Sequence, residues 1–177
     1  SLHKLVQEKG LEMLLDPDTS SPNTLGYFSP PYNGSPMKIA MMTLRTVADY
    51  KVLIKANFDA GFLASSHDFH LVFHEMGHYA HYNMNTLARW NEVTVIDDDG
   101  YGTNTPLPTA EYDNISSKLS EYATHWFPIE VVAEAFALFT LGYGVSADMM
   151  NYYTEYSGHL PPENKLEWIT TNTKKPS

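Results

Sequence analysis

Leu71-Val72-Phe73-His74-Glu75-Met76-Gly77-His78-Tyr79-Ala80-His81 is the stretch on which the rest of this chain turns. It lies inside Ser66 to Asn83, a segment dense in histidine and aromatic residues and free of proline, which predicts a helix of about five turns. Ser65 or Ser66 is the expected N-cap. Residues four apart on a helix project from the same face, so His74 and His78 can reach one metal ion while Glu75 stands beside them. His81, three residues further on, turns about 60° off that face. Gly77 costs only about 1 kcal/mol as an interior helix residue, which a helix of this length tolerates.

The chemistry implied by the pair is that of zinc. Imidazole nitrogens suit Zn²⁺ at about 2.0–2.1 Å, and catalytic sites supply three protein ligands and leave the fourth position to water. The cation lowers the pKa of that water to about 7, and a carboxylate placed as Glu75 is can take its proton while a carbonyl is attacked. The plainer alternative is two histidines on a helix with no metal between them.

A third ligand must come from elsewhere. Positions 79–85 read Tyr-Ala-His-Tyr-Asn-Met-Asn, so no H-x-x-G-x-x-H extension follows. The best candidates are Glu130 and Glu134 in Pro-Ile-Glu130-Val-Val-Ala-Glu134-Ala-Phe-Ala. They stand four apart, hence on one face, in an otherwise apolar helix, and buried carboxylates need partners. One carboxylate can bind the metal and the other can accept the second ring proton of a liganding histidine. Spacing does not say which does which. If this face met solvent instead, the pair would be ordinary surface charge.

An H-E-x-x-H helix followed by a helix with paired acids resembles the gluzincin class of zinc metallopeptidases. The stretch Ser120-Glu-Tyr122-Ala-Thr-His-Trp-Phe-Pro-Ile-Glu130-Val-Val-Ala-Glu134-Ala-Phe is similar to the anthrax-lethal-factor-like peptidases and to metallopeptidase-like domains of phage minor head proteins. Gly26-Tyr-Phe-Ser-Pro and Met37-Lys-Ile-Ala resemble the strand-forming lead-in of the phage-type domains, so the likeness covers about residues 25–142. It implies Glu130 as zinc ligand, Glu134 as its support and Tyr122 as the hydroxyl facing the developing oxyanion. It also implies a peptide or protein substrate and a secreted or virion-associated setting. Tyr122 stands eight residues before Glu130, one more than that pattern has, and Tyr112 and His125 are alternative donors. A second resemblance, to thimet-type oligopeptidases, runs through His74-Glu-Met-Gly-His-Tyr-Ala-His81 and Ser117-Lys-Leu-Ser-Glu121; this chain has Asn114 where those have Glu.

Bulk properties narrow the alternatives. A chain of 177 residues fits one domain, 1–177. Eleven basic against twenty-one acidic residues, a net charge of −10, argue against a nucleic-acid partner. Asp97, Asp98 and Asp99 read as a solvated loop rather than a calcium site. The absence of cysteine rules out thiolate metal sites and a cysteine nucleophile. No apolar run approaches the ~20 residues of a membrane span. The start Ser-Leu-His, without methionine, suits a domain cut from a longer polypeptide.

The expected fold is α+β and zincin-like: a small mixed sheet on the helix over 66–83, with a mainly helical C-terminal half. Residues 2–15 read as an amphipathic helix, Met37–Met42 as an edge strand, Thr46–Asn57 as a helix ended near Gly61, and 92–110 as a long loop. Helices are expected over 114–124, 129–141 ending at Gly142, and from a Ser146 cap to Tyr156. Residues 170–177 read as a loose tail. A competing class is a non-catalytic domain, for example of a phage virion protein, that keeps zinc as a structural staple.

Overall fold

The computed structural model describes residues 11–16, 25–31, 36–42, 46–84, 108–125, 128–156 and 158. The expectations for residues 2–10, the Asp97–Asp99 run and the 170–177 tail lie outside them.

Three strands open the described chain: β1 (Leu11–Asp16), β2 (Gly26–Ser29) and β3 (Met37–Met42). The sheet order is β1-β3-β2, with β1 parallel to β3 (Leu11 opposite Met37) and β2 antiparallel to it (Phe28 opposite Ile39). Two expectations are corrected here. Residues 11–15 are strand rather than the end of a helix, because a short apolar run fits either period and the open edge of β3 decides the matter. Met37–Met42 is the central strand, not an edge; the edges are β1 and β2.

Among the described residues five α-helices follow: α1 (Val47–Asp59), α2 (His70–Met84), α3 (Thr109–Lys118), α4 (Ile129–Thr140) and α5 (Ala147–Glu155). A 3-10 turn covers Tyr122–Thr124. The fold is therefore α+β. A capping box starts α1: the Thr46 hydroxyl accepts from Asp49 N–H, and Asp49 reaches back to Thr46 N–H at 2.8 Å. Ser146 caps α5 as its sequence position suggests. Ser65 does not cap α2, which begins four residues later than expected, after a turn closed by His70 N–H on the His67 carbonyl. The helix expected over 114–124 is displaced to 109–118; Leu119 leaves helical geometry, and only the 3-10 turn resumes it.

Two glycines at positive φ steer the chain. Gly61 (φ 82°) turns it back after α1, so that the carbonyls of Gly61 and Phe62 accept the N–H groups of Glu121 and Tyr122. Gly142 (φ 86°) follows the end of α4.

The main core is built on α4. Val131, Val132, Ala135, Phe136 and Phe139 pack against Ile115 and Leu119 near α3 and against Met149 and Tyr153 of α5. On β3, Met37 and Ile39 share a face at the two-residue period and bury against Tyr79 of α2. Ile54, Leu63 and Leu71 join α1 to the start of α2. Helix α2 thus lies between the sheet and α4, its apolar neighbours claimed on both sides.

Candidate metal centre

Helices α2 and α4 cross at Gly77. A Cβ at that position would stand 2.9 Å from Ala133 Cα and 3.1 Å from the Ala133 carbonyl oxygen, closer than packed atoms tolerate. The absence of a side chain at Gly77 is what lets the two backbones meet. It brings the carboxylates of α4 to the histidines of α2.

Glu134 is fully buried and holds four donors. Its Oε1 accepts from His74 Nδ1 at 2.9 Å and from His70 Nε2 at 2.8 Å, and its Oε2 accepts from Ala64 N–H at 2.8 Å and Ser120 Oγ at 2.9 Å. Burial opposes its charge, but the His70 and His74 rings outweigh that and hold its pKa well below the ordinary carboxylate range. A carboxylate only accepts, so both facing ring nitrogens carry their protons there. In neutral His74 the Nε2 lone pair is then turned the other way, the tautomer a metal ligand needs.

Glu130 occupies the opposite side. Its Oε2 lies 2.9 Å from His74 Nε2 and 3.4 Å from His78 Nε2, and the two Nε2 atoms are 3.1 Å apart. Oε2 is a buried carboxylate oxygen with no hydrogen bond of its own, although both rings stand within ion-pair distance. Burial would raise the Glu130 pKa; the His78 charge and the adjacent His74 ring overcome it and leave it at about 2. His74, in turn, is disfavoured as a cation by burial, yet the nearby Glu130 and Glu134 carboxylates hold its pKa well above 6.5. An imidazole so placed attracts a positive charge, whether proton or metal.

The residues fit zinc. A tetrahedral ion with ligand bonds of about 2.0–2.1 Å separates its ligand atoms by about 3.3 Å. The three edges here are 2.9, 3.1 and 3.4 Å, all between atoms that offer a lone pair once both rings are neutral and unprotonated at Nε2. A second cluster, His70, His74 and Glu134, also gathers three potential ligand atoms, but its carboxylate is already saturated by protein donors. The alternative in which the α4 acids are surface charge is overturned, since Glu130 and Glu134 are both buried.

Glu75 is buried and lines two adjoining cavities of about 200 and 240 Å³. Burial raises its pKa above 4.5 against the lowering effect of His74 and His78, and it accepts a hydrogen bond from the Phe28 backbone on β2. Tyr122 also lines both cavities, its ring 5.4 Å from that of His74 and 5.1 Å from that of Phe62. The Glu130 charge, followed by burial, pushes its hydroxyl pKa well above 10.

Comparison with protein-family models, with curated proteins and with solved structures finds no match to this chain.

The six residues singled out in the sequence, His74, Glu75, His78, Tyr122, Glu130 and Glu134, therefore converge. Of the alternative oxyanion donors, Tyr112 is 37% exposed on α3 and lines neither cavity, and His125 is exposed, with its ring 6.0 Å from that of Tyr122. His81 is buried away from the cluster and hydrogen-bonds the Tyr156 carbonyl through Nε2 at 2.7 Å. Sequence reasoning missed His70, Ser65 and Ser120. His70 stands four residues before His74, the same one-turn step that exposed the His74/His78 pair, and that spacing was the available signal.

Proposed function

We propose that this domain is a zincin-like, zinc-dependent endopeptidase with His74, His78 and Glu130 as ligands to one Zn²⁺ and Glu75 as general base. The observation that carries the reading is the buried Glu130 Oε2, which has no hydrogen-bond donor and faces two imidazole Nε2 atoms at 2.9 and 3.4 Å. A buried polar atom left without a partner costs about 1–3 kcal/mol, more when charged, and a cation removes that cost. Zinc in this position would supply Lewis-acid polarisation of a carbonyl and acidify water.

The chain's own residues supply the rest. Glu75 is placed by its α2 position and by the Phe28 N–H. Its raised pKa makes it a better proton acceptor, suited to taking a proton from the attacking water and delivering it to the leaving amine. The Tyr122 hydroxyl stays protonated at any working pH and can donate to the oxyanion as charge develops. Strand β2 is a sheet edge beside the cleft, and Gly26 lines both cavities, so an extended peptide can add there by main-chain pairing with its side chains falling to either side of Glu75.

The experiment is peptide-mixture digestion by the zinc-loaded protein, with and without chelator, beside Glu75→Gln. Cleavage that the chelator abolishes and that Glu75→Gln lowers by roughly 10²–10⁴ while keeping its zinc supports the proposal. Stoichiometric zinc with no cleavage of any peptide would instead favour the structural staple.

A further inference from the structure

Ser65, His70 and Glu134 form a chain whose order suggests a hydrolytic triad: Ser65 Oγ lies 3.0 Å from His70 Nδ1, and His70 Nε2 lies 2.8 Å from Glu134 Oε1. Substrate cannot reach it. Ser65, His70 and Glu134 are each 0% exposed, and neither cavity at Glu75 is lined by any of the three. The chain must act through what it touches, and what it touches is His74.

We propose that His70, braced by Ser65, is a positioning residue for metal capture. This rests on the zinc reading above. Glu134 Oε1 has two partners, the rings of His70 and His74, while Oε2 is held by Ala64 N–H and Ser120 Oγ. Four donors in fixed directions leave the carboxylate one orientation. That orientation sets where His74 Nδ1–H must point and hence where Nε2 presents its lone pair. Ser65 completes the frame: with His70 Nε2 facing Glu134, the Ser65 hydroxyl 3.0 Å from Nδ1 holds the other side of the ring and fixes it in turn. Ala64 and Ser65 belong to the segment between α1 and α2, Ser120 to the segment before α4. The orientation of His74 is therefore determined jointly by three parts of the chain. Loss of His70 leaves Oε1 with His74 alone and a void beside it, and the His74 ring free to tilt.

The test is zinc affinity measured by competition with a chromogenic chelator, with wild type beside His70→Leu, His70→Gln and Ser65→Ala. The group that directly holds a liganding histidine, here Glu134, is worth about 10–100-fold in affinity, and His70 acts one step further out through it, so His70→Leu is expected to weaken zinc binding by about 10-fold, the low end of that range. Glutamine can still give an amide N–H to Glu134 and is expected to recover most of the loss. Ser65→Ala, which spares every contact of Glu134, is expected to weaken binding several-fold. Cobalt substitution adds a readout that packing alone would not move: the visible d–d bands are expected to change in the leucine variant and to return with glutamine. Equal zinc affinity and cobalt spectra for wild type and His70→Leu would overturn the proposal. So would a glutamine variant as weak as leucine while its metal-free melting temperature matches wild type. Should His70→Leu not fold, the glutamine and Ser65→Ala comparisons decide alone, and wild-type affinity in Ser65→Ala counts against. Failure of wild type itself to bind zinc would sink the metal reading rather than the role of His70.

Discussion

Gly77 of α2 meets Ala133 of α4 so closely that a single methyl group added at Gly77 would lie 2.9 Å from the Ala133 Cα. The glycine that weakens the helix locally is the one that allows it to pack, and its neighbours along α2 are the proposed ligands.

Gly77→Ala tests that relationship. Alanine gains about 1 kcal/mol of helix propensity, but the clash is with backbone atoms that cannot swing away, and overpacking of this kind costs about 1–3 kcal/mol. A net loss of stability is expected by chemical denaturation, together with weaker zinc binding as α4 is pushed back. A variant more stable than wild type would show that the helices can part freely.

Glu130→Ala removes the oxygen that closes the triangle with His74 Nε2 and His78 Nε2. Two imidazoles then remain, and metal analysis is expected to show zinc well below one per chain after dialysis. Unchanged stoichiometry would show that Glu130 is not a zinc ligand.

Tyr122→Phe keeps the ring against His74 and Phe62 and removes only the hydroxyl. On the peptidase reading, kcat is expected to fall by about 10²–10³ with zinc content unchanged. Tyr112→Phe and His125→Phe are expected to stay near wild type. A fall in either, with Tyr122→Phe fully active, would reassign the donor.

Acidity should act on the metal-free protein through the same cluster. Glu130 and Glu134 have folded pKa values lowered from 4.5, Glu130 to about 2, so their stabilisation is present above 4.5 and is lost as pH falls toward 2. His74 has its value raised above 6.5, so its contribution is complete below 6.5 and is lost as pH rises through the raised value. Thermal melts of the chelated protein are expected to show this cluster's contribution greatest between about 4.5 and 6.5. Zinc should stabilise most at higher pH, where no proton competes for His74. A zinc-induced shift in melting temperature that did not grow with pH over this range would contradict the placement of His74 between two carboxylates.

Much of the site could be read from residue order because the helical period is a local property. The step of four between His74 and His78, and again between Glu130 and Glu134, fixes a common face whatever the rest of the chain does. Local chemistry likewise gave the Ser146 cap and the ends of helices at Gly61 and Gly142.

Tertiary contact decided everything that depends on what a residue meets. Leu11–Leu15 is compatible with either helix or strand until β3 offers an edge, and β3 becomes central only because β1 and β2 take both its sides. The division of labour between Glu130 and Glu134 is of the same kind. Two carboxylates one turn apart are equivalent in sequence, but after the helices cross at Gly77 one faces the Nδ1 side of His74, with His70, Ser120 and Ala64 to saturate it, and the other faces two Nε2 atoms and no donor. Spacing along a chain fixes direction; only packing fixes which partner stands there.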